Sequence, residues 1–360
     1  MEQGPRGSAT DGRCICFIVP PQMLEQVVRT GTQAEREAAL STISIDHTIR
    51  THRTHQAAIR AVRPRIADPL AAGAAGGKPH RTVYDAEHQE NVHATKVLRN
   101  EGHAPVSDQS ANEAYDGFGY TYDFYWKELH RNSIDDAGMQ LLGEVHFGQD
   151  YDNAFWNGER MVFGDGDGQL FTGFTKSIDV IGHELTHGVT QETLGLLYLG
   201  QSGALNESIS DVFGSMVKQH KLGQKADEAD WLIGQGILGP SLKGVALRSM
   251  KAPGTAFEGD NQPAHMRDYV HTIKDNGGVH TNSGIPNHAF YVDATALGGP
   301  SWERAGKIWY QTLFDRALRP SSGFRAFAAG TLRSAQRLFG AGSVEGKAVS
   351  DAWHQVGVTV

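Results

Sequence analysis

The sequence predicts a two-domain α+β protein that carries a separate segment at its N-terminus. Tyr and Phe runs broken by Gly, Asn and Asp between residues 110 and 175 indicate strands joined by turns. In the C-terminal half the apolar residues instead recur at helical spacing, and residues 70–77 have the small, Gly-rich composition of a connector. We therefore expect an N-terminal segment over 1–65, with its boundary between 45 and 78, a β-rich domain over 66–195 and an α-helical domain over 196–360.

The N-terminal segment differs from the rest of the chain in charge. Residues 1–80 hold ten Lys and Arg against seven Asp and Glu, whereas the remaining residues hold 23 against 34. Apolar side chains at helical spacing over residues 23–45 predict one or two short amphipathic helices. The His- and Arg-rich stretch over 46–65 fits a solvated basic helix face, with metal binding as the alternative.

The β-rich domain is expected to end in a tight turn followed by a helix. Short strands are predicted at residues 161–163 and 169–171, on either side of a Gly- and Asp-rich turn. Asp165 and Asp167 in that turn either bond to backbone N–H groups or bind calcium, and the lack of a downstream glutamate at calcium-loop spacing favours the turn. In the last domain, apolar residues predict helices over 302–313 and over 324–339, the second ending at Gly340.

Composition excludes several classes of protein. A net charge of −8 argues against a nucleic-acid partner, and no apolar run approaches the roughly 18 residues that a membrane-spanning helix needs. The two cysteines, Cys14 and Cys16, are too close in sequence to staple a fold. Cysteine usage is compatible with the cytoplasm or with export, and the first residues do not form a conventional secretory signal.

The motif His183-Glu-Leu-Thr-His187 carries the sharpest chemical signal. On a helix the two histidines lie one turn apart on one face, so that both imidazoles can reach one metal ion. Glu184 would then lie beside a water bound to that metal.

A catalytic zinc needs a third protein ligand and an open position. Glu207, 20 residues after His187, offers the ligand, and Asp211 lies one helical turn further on. A second carboxylate can accept the other N–H of a liganding imidazole. The alternative is a core pair of histidines together with an exposed acidic helix face.

Asp275-Asn-Gly-Gly-Val-His280 is a weaker signal. A histidine after two glycines suits a site where an imidazole stabilises a developing oxyanion, but an exposed Gly-rich loop has the same pattern.

Taken together, these motifs resemble the thermolysin-type neutral metalloproteases over roughly residues 80–360. The resemblance is carried, in order along the chain, by Asn153-Ala-Phe-Trp-Asn157, Gly164–Gly168, His183–His187, Gly203–Asp211, Leu247-Arg-Ser-Met250 and Asp275–Gly284. The Pro20-Pro21 stretch and the short N-terminal segment are similar to precursors of the protealysin-like branch, which have small propeptides.

The resemblance implies a role for each matching residue. One zinc ion would be bound by His183, His187 and Glu207, with Glu184 as general base and Asp211 holding a zinc-bound imidazole. It further implies that Tyr198 and His280 stabilise the oxyanion, that Asp275 orients His280, that Arg248 binds a substrate carbonyl, and that Asn153 and Ala154 pair with the substrate backbone.

The resemblance also implies substrate preference, latency and location. The pocket that receives the residue after the cut is apolar in the family, and the matching residues here are Phe171, Phe174, Val180, Ile233 and Leu247. We expect a zinc endopeptidase that cuts before Leu, Phe, Ile or Val in peptides or proteins, is inhibited by its own propeptide and acts outside the cell. Rival interpretations are a binding protein that keeps the fold and a zinc amidohydrolase acting on other substrates.

The sequence departs from the family at its paired calcium site. Asp179 and Asp230 are present, but Lys218, Leu232 and Gln235 stand where the family usually has Glu. Because an ammonium group repels calcium and pairs with acids, we expect no double calcium site and an internal cation at Lys218. The alternative is a solvated Lys218.

Cys14 and Cys16 are either structural thiols or the source of a thiolate that reaches the open zinc position and keeps a zymogen silent.

Overall fold

The computed structural model describes residues 16–60 and 77–360 of the chain. Cys14 and almost all of the predicted connector lie outside these residues. The strands are β1 (Cys16–Phe17), β2 (Arg81–Asp85), β3 (Lys96–Asn100), β4 (Leu141–Val145), β5 (Ala154–Trp156), β6 (Met161–Phe163), β7 (Leu232–Ile233) and β8 (Arg248–Ser249). The helices are α1 (Pro21–Thr30), α2 (Gln33–Arg60), α3 (Gln109–Leu129), α4 (Ile178–Glu192), α5 (Gly200–Leu222), α6 (Asp275–Asn282), α7 (Gly284–Leu297), α8 (Lys307–Thr312), α9 (Phe324–Phe339) and α10 (Val344–Gln355).

A mixed sheet forms the first domain, in the order β1-β5-β6-β4-β2-β3. Strands β2, β4 and β6 are parallel to one another, and the other pairings are antiparallel. The edge strand β1 comes from the N-terminal segment and places Cys16 opposite Trp156 and Phe17 opposite Phe155. The N-terminal segment is therefore part of the sheet.

The predicted α+β class is confirmed, but the expectation of strands over all of 110–175 is wrong at α3. Its buried residues Ala111, Ala114, Tyr115, Phe118, Tyr122 and Tyr125 recur every three or four positions. Asp108 caps the helix by accepting a hydrogen bond from Ala111 N at 2.9 Å. Helical periodicity therefore outweighs the β-propensity of the aromatic residues.

The turn after β6 is held by Asp167 through hydrogen bonds to backbone N–H groups, as predicted. The strand that was predicted to follow the turn does not form. Asp167 Oδ1 accepts hydrogen bonds from the backbone of Gln169 and Leu170 at 2.8 and 2.6 Å. Residues 169–171, predicted as a strand, contribute only a single bridge from Phe171 to Leu238. Asp165 instead contacts His146 Nδ1 at 2.8 Å.

Helices α4 and α5 cross closely where two glycines face each other. A Cβ on Gly214 would lie 2.4 Å from the carbonyl oxygen of Asp179, and one on Gly182 would lie 3.1 Å from Gly214 Cα. The absence of side chains lets the two backbones touch, which brings the motif residues of both helices together. The predicted helix over 324–339 is confirmed as α9, and the one over 302–313 forms as a π-helical turn at Trp302–Gly306 followed by α8.

The two N-terminal helices lie against both domains. Helix α1 reaches the helical domain, where Glu25 pairs with Lys274 at 2.7 Å and Gln22 donates to Thr281 at 3.0 Å. Helix α2 reaches the first domain, where Asp46 accepts from Tyr151 at 2.5 Å and from Asn153 at 2.9 Å. Of the helices in the described ranges, none is both long and apolar enough to cross a membrane.

Candidate active site

Helix α4 presents two imidazoles whose outer nitrogens are held by α5. His183 Nδ1 lies 2.8 Å from Asp211 Oδ1, and His187 Nδ1 lies 2.8 Å from Asn206 Oδ1. Because both partners are acceptors, we assign the imidazole protons to Nδ1, which leaves a lone pair on each Nε2. The two Nε2 atoms lie 3.0 Å apart. Two lone pairs at this distance repel each other, and a cation beside them would remove the repulsion.

Glu207 supplies the negative charge that such a cation would need. Its carboxylate oxygens lie 3.5 Å from His183 Nε2 and 3.5 Å from His187 Nε2, and Oε2 is buried with no hydrogen-bond partner among the described residues. Burial lowers the pKa of His187 to about 3, which keeps the imidazole neutral. Two neutral imidazoles and a carboxylate are a ligand set of catalytic zinc sites, so the residues present fit this ion.

Glu184 is a buried carboxylate beside this cluster. Its Oε2 accepts a hydrogen bond from Trp156 N at 2.9 Å, and its Oε1 is buried without a hydrogen-bond partner in the described part of the chain. Burial, reinforced by the negative charge of Glu207, raises the pKa of Glu184 well above its ordinary value. A carboxylate in this environment is suited to accept a proton.

Asp211 links His183 to Arg248 through hydrogen bonds. It accepts hydrogen bonds from Arg248 Nε at 2.9 Å and Nη2 at 2.8 Å, and from Asn287 Nδ2 at 2.8 Å. Burial opposes ionisation of Asp211, but the charge of Arg248 outweighs it and lowers the pKa of the carboxyl group. The ion pair therefore stays charged inside the protein and fixes both side chains.

Tyr198 and His280 lie on the other side of Glu207. The Tyr198 hydroxyl donates to Glu207 Oε1 and lies 3.3 Å from His280 Nε2. Asp275 contacts His280 Nδ1 at 2.7 Å and accepts from its backbone N at 2.9 Å. Burial opposes protonation of His280, but the charges of Asp275 and Glu207 raise its pKa to about 9.

Two glycines shape the loop that carries His280. Helix α6 begins with a left-handed turn, with φ of 85° at Gly277 and 75° at Gly278. A Cβ on Gly277 would lie 3.1 Å from the backbone of Gly200, where α5 begins. The turn folds Asp275 back onto His280, which explains the spacing of the weaker motif.

The N-terminal segment lies against the residues that were predicted to bind the substrate. Asn153 Oδ1 accepts from Val19 N at 3.0 Å, and Ala154 O accepts from Ile18 N at 3.1 Å. The apolar residues predicted to form the pocket are fully buried, in the same core cluster as Ile18: Phe171, Phe174, Val180, Ile233 and Leu247.

Lys218 is largely buried, which contradicts the solvated alternative. Its Nζ lies 3.1 Å from Asp179, 2.9 Å from Asp230 and 3.2 Å from the carbonyl oxygen of Leu232. Burial opposes its charge, but Asp179 and Asp230 raise the pKa of Lys218 above its ordinary value. Glu207 and Asp211 are buried as well, which rules out the alternative of an exposed acidic helix face.

Sequence reasoning missed several partners of the site. Asn206 and Ser210 both contact His187 Nδ1, at 2.8 and 3.0 Å, and the Trp156 amide holds Glu184. The positions of Asn206 and Ser210, one residue before Glu207 and three after it, could have suggested a shared helix face. The amide of Trp156 leaves no signal, because any residue but proline supplies one.

Two imidazoles with a buried carboxylate beside them and a second buried carboxylate nearby are an arrangement typical of metal-dependent hydrolases. Residues 74–191 match the family described as thermolysin metallopeptidase, catalytic domain, and residues 194–358 match the one described as thermolysin metallopeptidase, alpha-helical domain. The chain belongs to the thermolysin metallopeptidase family and is a zinc-dependent metalloendopeptidase.

Relatives similar over nearly their whole length support this assignment. An extracellular metalloprotease of Pectobacterium carotovorum subsp. carotovorum is 48% identical over 97% of this chain and 98% of its own length. Protease PrtS of Photorhabdus sp. (strain Az29) is 45% identical over 95% and 92%. Among solved structures, the precursor of protealysin, a metalloproteinase from Serratia proteamaculans, matches with a TM-score of 0.85 and 48% identity over 96% of this chain and all of that one.

Proposed function

We propose that the chain is the precursor of a neutral endopeptidase that cuts before bulky hydrophobic residues, with Glu184 as general base. The observation that carries this proposal is a pair of buried oxygens, Glu184 Oε1 and Glu207 Oε2. Neither has a hydrogen-bond partner in the described residues, and both lie beside the two imidazoles of α4. His183, His187 and Glu207 would hold the ion. When bound there, zinc supplies a polarised carbonyl and a water of lowered pKa.

The surrounding residues each have one task in this scheme. Glu184 takes the proton of the attacking water and passes it to the leaving amine. Tyr198 and His280 donate hydrogen bonds to the oxygen that becomes negative, and Asp275 holds His280 in place. Arg248, fixed by Asp211, binds the carbonyl of the residue after the cut.

Substrate choice follows from the cleft. Asn153 and Ala154 pair with the substrate backbone, and the apolar pocket accepts the side chain that follows the cut. Burial of a Leu or Phe side chain contributes about 1.5–3 kcal/mol, whereas a charged side chain would lose its hydration without a partner.

The N-terminal segment, predicted over 1–65, acts as an intramolecular inhibitor in this proposal. Its support is strand β1, which pairs with Phe155 and Trp156 in the cleft. The proposed domains over 66–195 and 196–360 meet between α4 and α5. The names of the relatives from Pectobacterium and Serratia support an extracellular enzyme made as a precursor.

The contacts of Lys218 support the absence of a double calcium site. An ammonium group within 3.1 Å of Asp179 and 2.9 Å of Asp230 fills the position from which two carboxylates could bind a cation. Lys218 would thus stabilise the helical domain without a second metal.

Mass-spectrometric mapping of cuts in a denatured protein mixture tests the proposed function. The zinc-loaded chain, after removal of its N-terminal segment by its own cuts, should cut before Leu, Phe, Ile and Val. The matched Glu184→Ala variant should bind zinc and make none of these cuts. Cuts clustered before Lys or Asp would refute the specificity, and equal cutting by both proteins would refute the role of Glu184.

A further inference from the structure

The segment over residues 16–19, which comprises β1 and the two residues after it, makes its backbone contacts in the orientation that the proposed function gives a substrate. Ile18 N donates to Ala154 O at 3.1 Å, and Val19 N donates to Asn153 Oδ1 at 3.0 Å. These are the two contacts with Asn153 and Ala154 that the proposed function assigns to the substrate backbone.

The carbonyl groups of the same strand complete the substrate pattern. Arg248 Nη1 donates to Ile18 O at 3.0 Å, and His280 Nε2 lies 2.9 Å from Phe17 O. The Phe17 carbonyl therefore occupies the oxyanion position and the Ile18 carbonyl the position after it. By this register, the Phe17–Ile18 peptide bond stands where the scissile bond of a substrate would stand.

The side chains agree with this register. The side chain of Ile18 is fully buried, as the register requires of the residue after the cut. Phe17 lies in a separate cluster and packs on Phe155 with ring centroids 5.2 Å apart. By this register a bulky aliphatic residue, Ile18, stands at the position before which the enzyme is proposed to cut, so this segment needs a reason not to be cut.

Cys16 supplies a reason. Its Sγ, a ring nitrogen of His187 and a carboxylate oxygen of Glu207 all lie within 4.8 Å of one another, and all three residues are buried. A thiolate is a strong zinc ligand, with a Zn–S distance of about 2.3 Å. With His183 it would make a four-ligand site, which is the closed form typical of structural zinc rather than the open form that catalysis requires.

We propose that Cys16 is the fourth zinc ligand of the precursor and that this bond makes strand β1 an inhibitor instead of a substrate. The proposal rests on the proposed function. While the sulfur holds the fourth position, the water that Glu184 must deprotonate has no place, and the Phe17–Ile18 bond stays intact although it is aligned for attack.

Loss of the thiol should turn the inhibitor into a substrate. Hydrolysis would break the C–N bond between Phe17 and Ile18, adding the hydroxyl of water to the Phe17 carbonyl carbon and a proton to the Ile18 nitrogen. The chain would gain the mass of one water and acquire a new N-terminus at Ile18.

The test uses the full-length chain loaded with cobalt(II) or with zinc. In the cobalt form the parent should show a sulfur-to-cobalt charge-transfer band, which Cys16→Ser should lose while it keeps the d–d bands of bound cobalt. Cys14→Ser, two residues away, is the matched control and should keep the band. In the zinc form Cys16→Ser should carry a cut between Phe17 and Ile18, and Cys16→Ser combined with Glu184→Gln should not.

The outcomes separate this proposal from the proposed function. If cobalt binds and the charge-transfer band is absent from the parent or survives in Cys16→Ser, the Cys16 sulfur is not a ligand. The inference about Cys16 is then wrong, whereas the proposed function is unaffected. If the band is lost in Cys16→Ser but Phe17–Ile18 stays intact in the zinc form, sulfur ligation does not protect the bond. If no d–d band appears in any variant, the metal site itself, and with it the proposed function, is wrong.

Discussion

Two groups of side chains in this protein each place acidic residues around a position for a cation. One group surrounds Lys218 and the other contains His183, His187 and Glu207, and they differ in the source of the cation. At Lys218 the chain provides it, because Nζ lies 3.1 Å from Asp179 and 2.9 Å from Asp230. At His183, His187 and Glu207 the ligand atoms face one another, and Glu207 Oε2 has no hydrogen-bond partner in the described ranges. We infer that the group around Lys218 is complete in itself, whereas the group around Glu207 needs an ion from outside the chain.

The largest expected effect comes from removing a ligand at the incomplete group. His187→Ala should abolish peptide cleavage and lower zinc affinity, because two remaining ligands do not hold the ion in a catalytic geometry. Equilibrium dialysis with zinc and a peptide-cleavage assay measure both losses. His88→Ala, which removes a partly exposed histidine outside the group, is the control and should change neither. Unchanged zinc affinity in His187→Ala would remove that residue from the ligand set.

The next effect comes from removing the built-in cation. Lys218→Met should lower the free energy of unfolding by about 3 kcal/mol, because it leaves the buried Asp179 carboxylate without its positive partner. Urea unfolding of the zinc-loaded chain measures the change.

Lys218 lies on α5, and the exposed Lys225, three residues after the C-terminal end of this helix, provides the control. Lys225→Met should change the stability by less than about 0.5 kcal/mol. A calcium-dependent rise in the unfolding midpoint of the parent chain would contradict the view that Lys218 replaces calcium.

The smallest expected effect on stability comes from a third group of side chains, in which the cation is a histidine that loses its charge as the pH rises. His146 lies 2.8 Å from both Asp108 and Asp165. Hydrogen bonds to Asp165, opposed by burial and reinforced by Asp108, raise its pKa from 6.5 to about 9. Because the folded-state pKa lies above the unfolded value, its stabilising contribution is full below the unfolded pKa and disappears as the pH rises through 9.

His146→Gln should therefore reduce stability by about 1–3 kcal/mol near pH 6 and by little above about pH 9. Urea unfolding of parent and variant across this range measures the difference. A penalty that stays constant from pH 6 to about pH 9.5 would show that the histidine stabilises the turn by packing alone.

The sequence alone predicts which site residues share a helix face when those residues are one helical turn apart. His183 and His187 lie one turn apart on α4, and Glu207 and Asp211 one turn apart on α5, so their helix faces followed from periodicity. The prediction of strands is wrong at α3, because the buried residues recur at helical spacing and cover one face of a helix. In this segment the spacing of the apolar residues predicts the structure better than the β-propensity of the aromatic residues does.

The sequence could not show that Cys16 lies beside His187 and Glu207. Only the pairing of β1 with β5 places Cys16 beside His187 and Glu207, and that pairing joins residues far apart in the chain. Likewise, the sequence could not show whether Lys218 is solvated or paired, because this depends on the approach of Asp230 and of the Leu232 carbonyl. Register and long-range contact, which local patterns do not encode, decide both cases.

Anomalous diffraction from crystals grown with both zinc and calcium ions tests most directly whether the two groups differ as described. We expect one zinc peak between His183, His187 and Glu207, and no calcium between Lys218, Asp179 and Asp230. A calcium ion beside a displaced Lys218, or no zinc at the histidines, would contradict it.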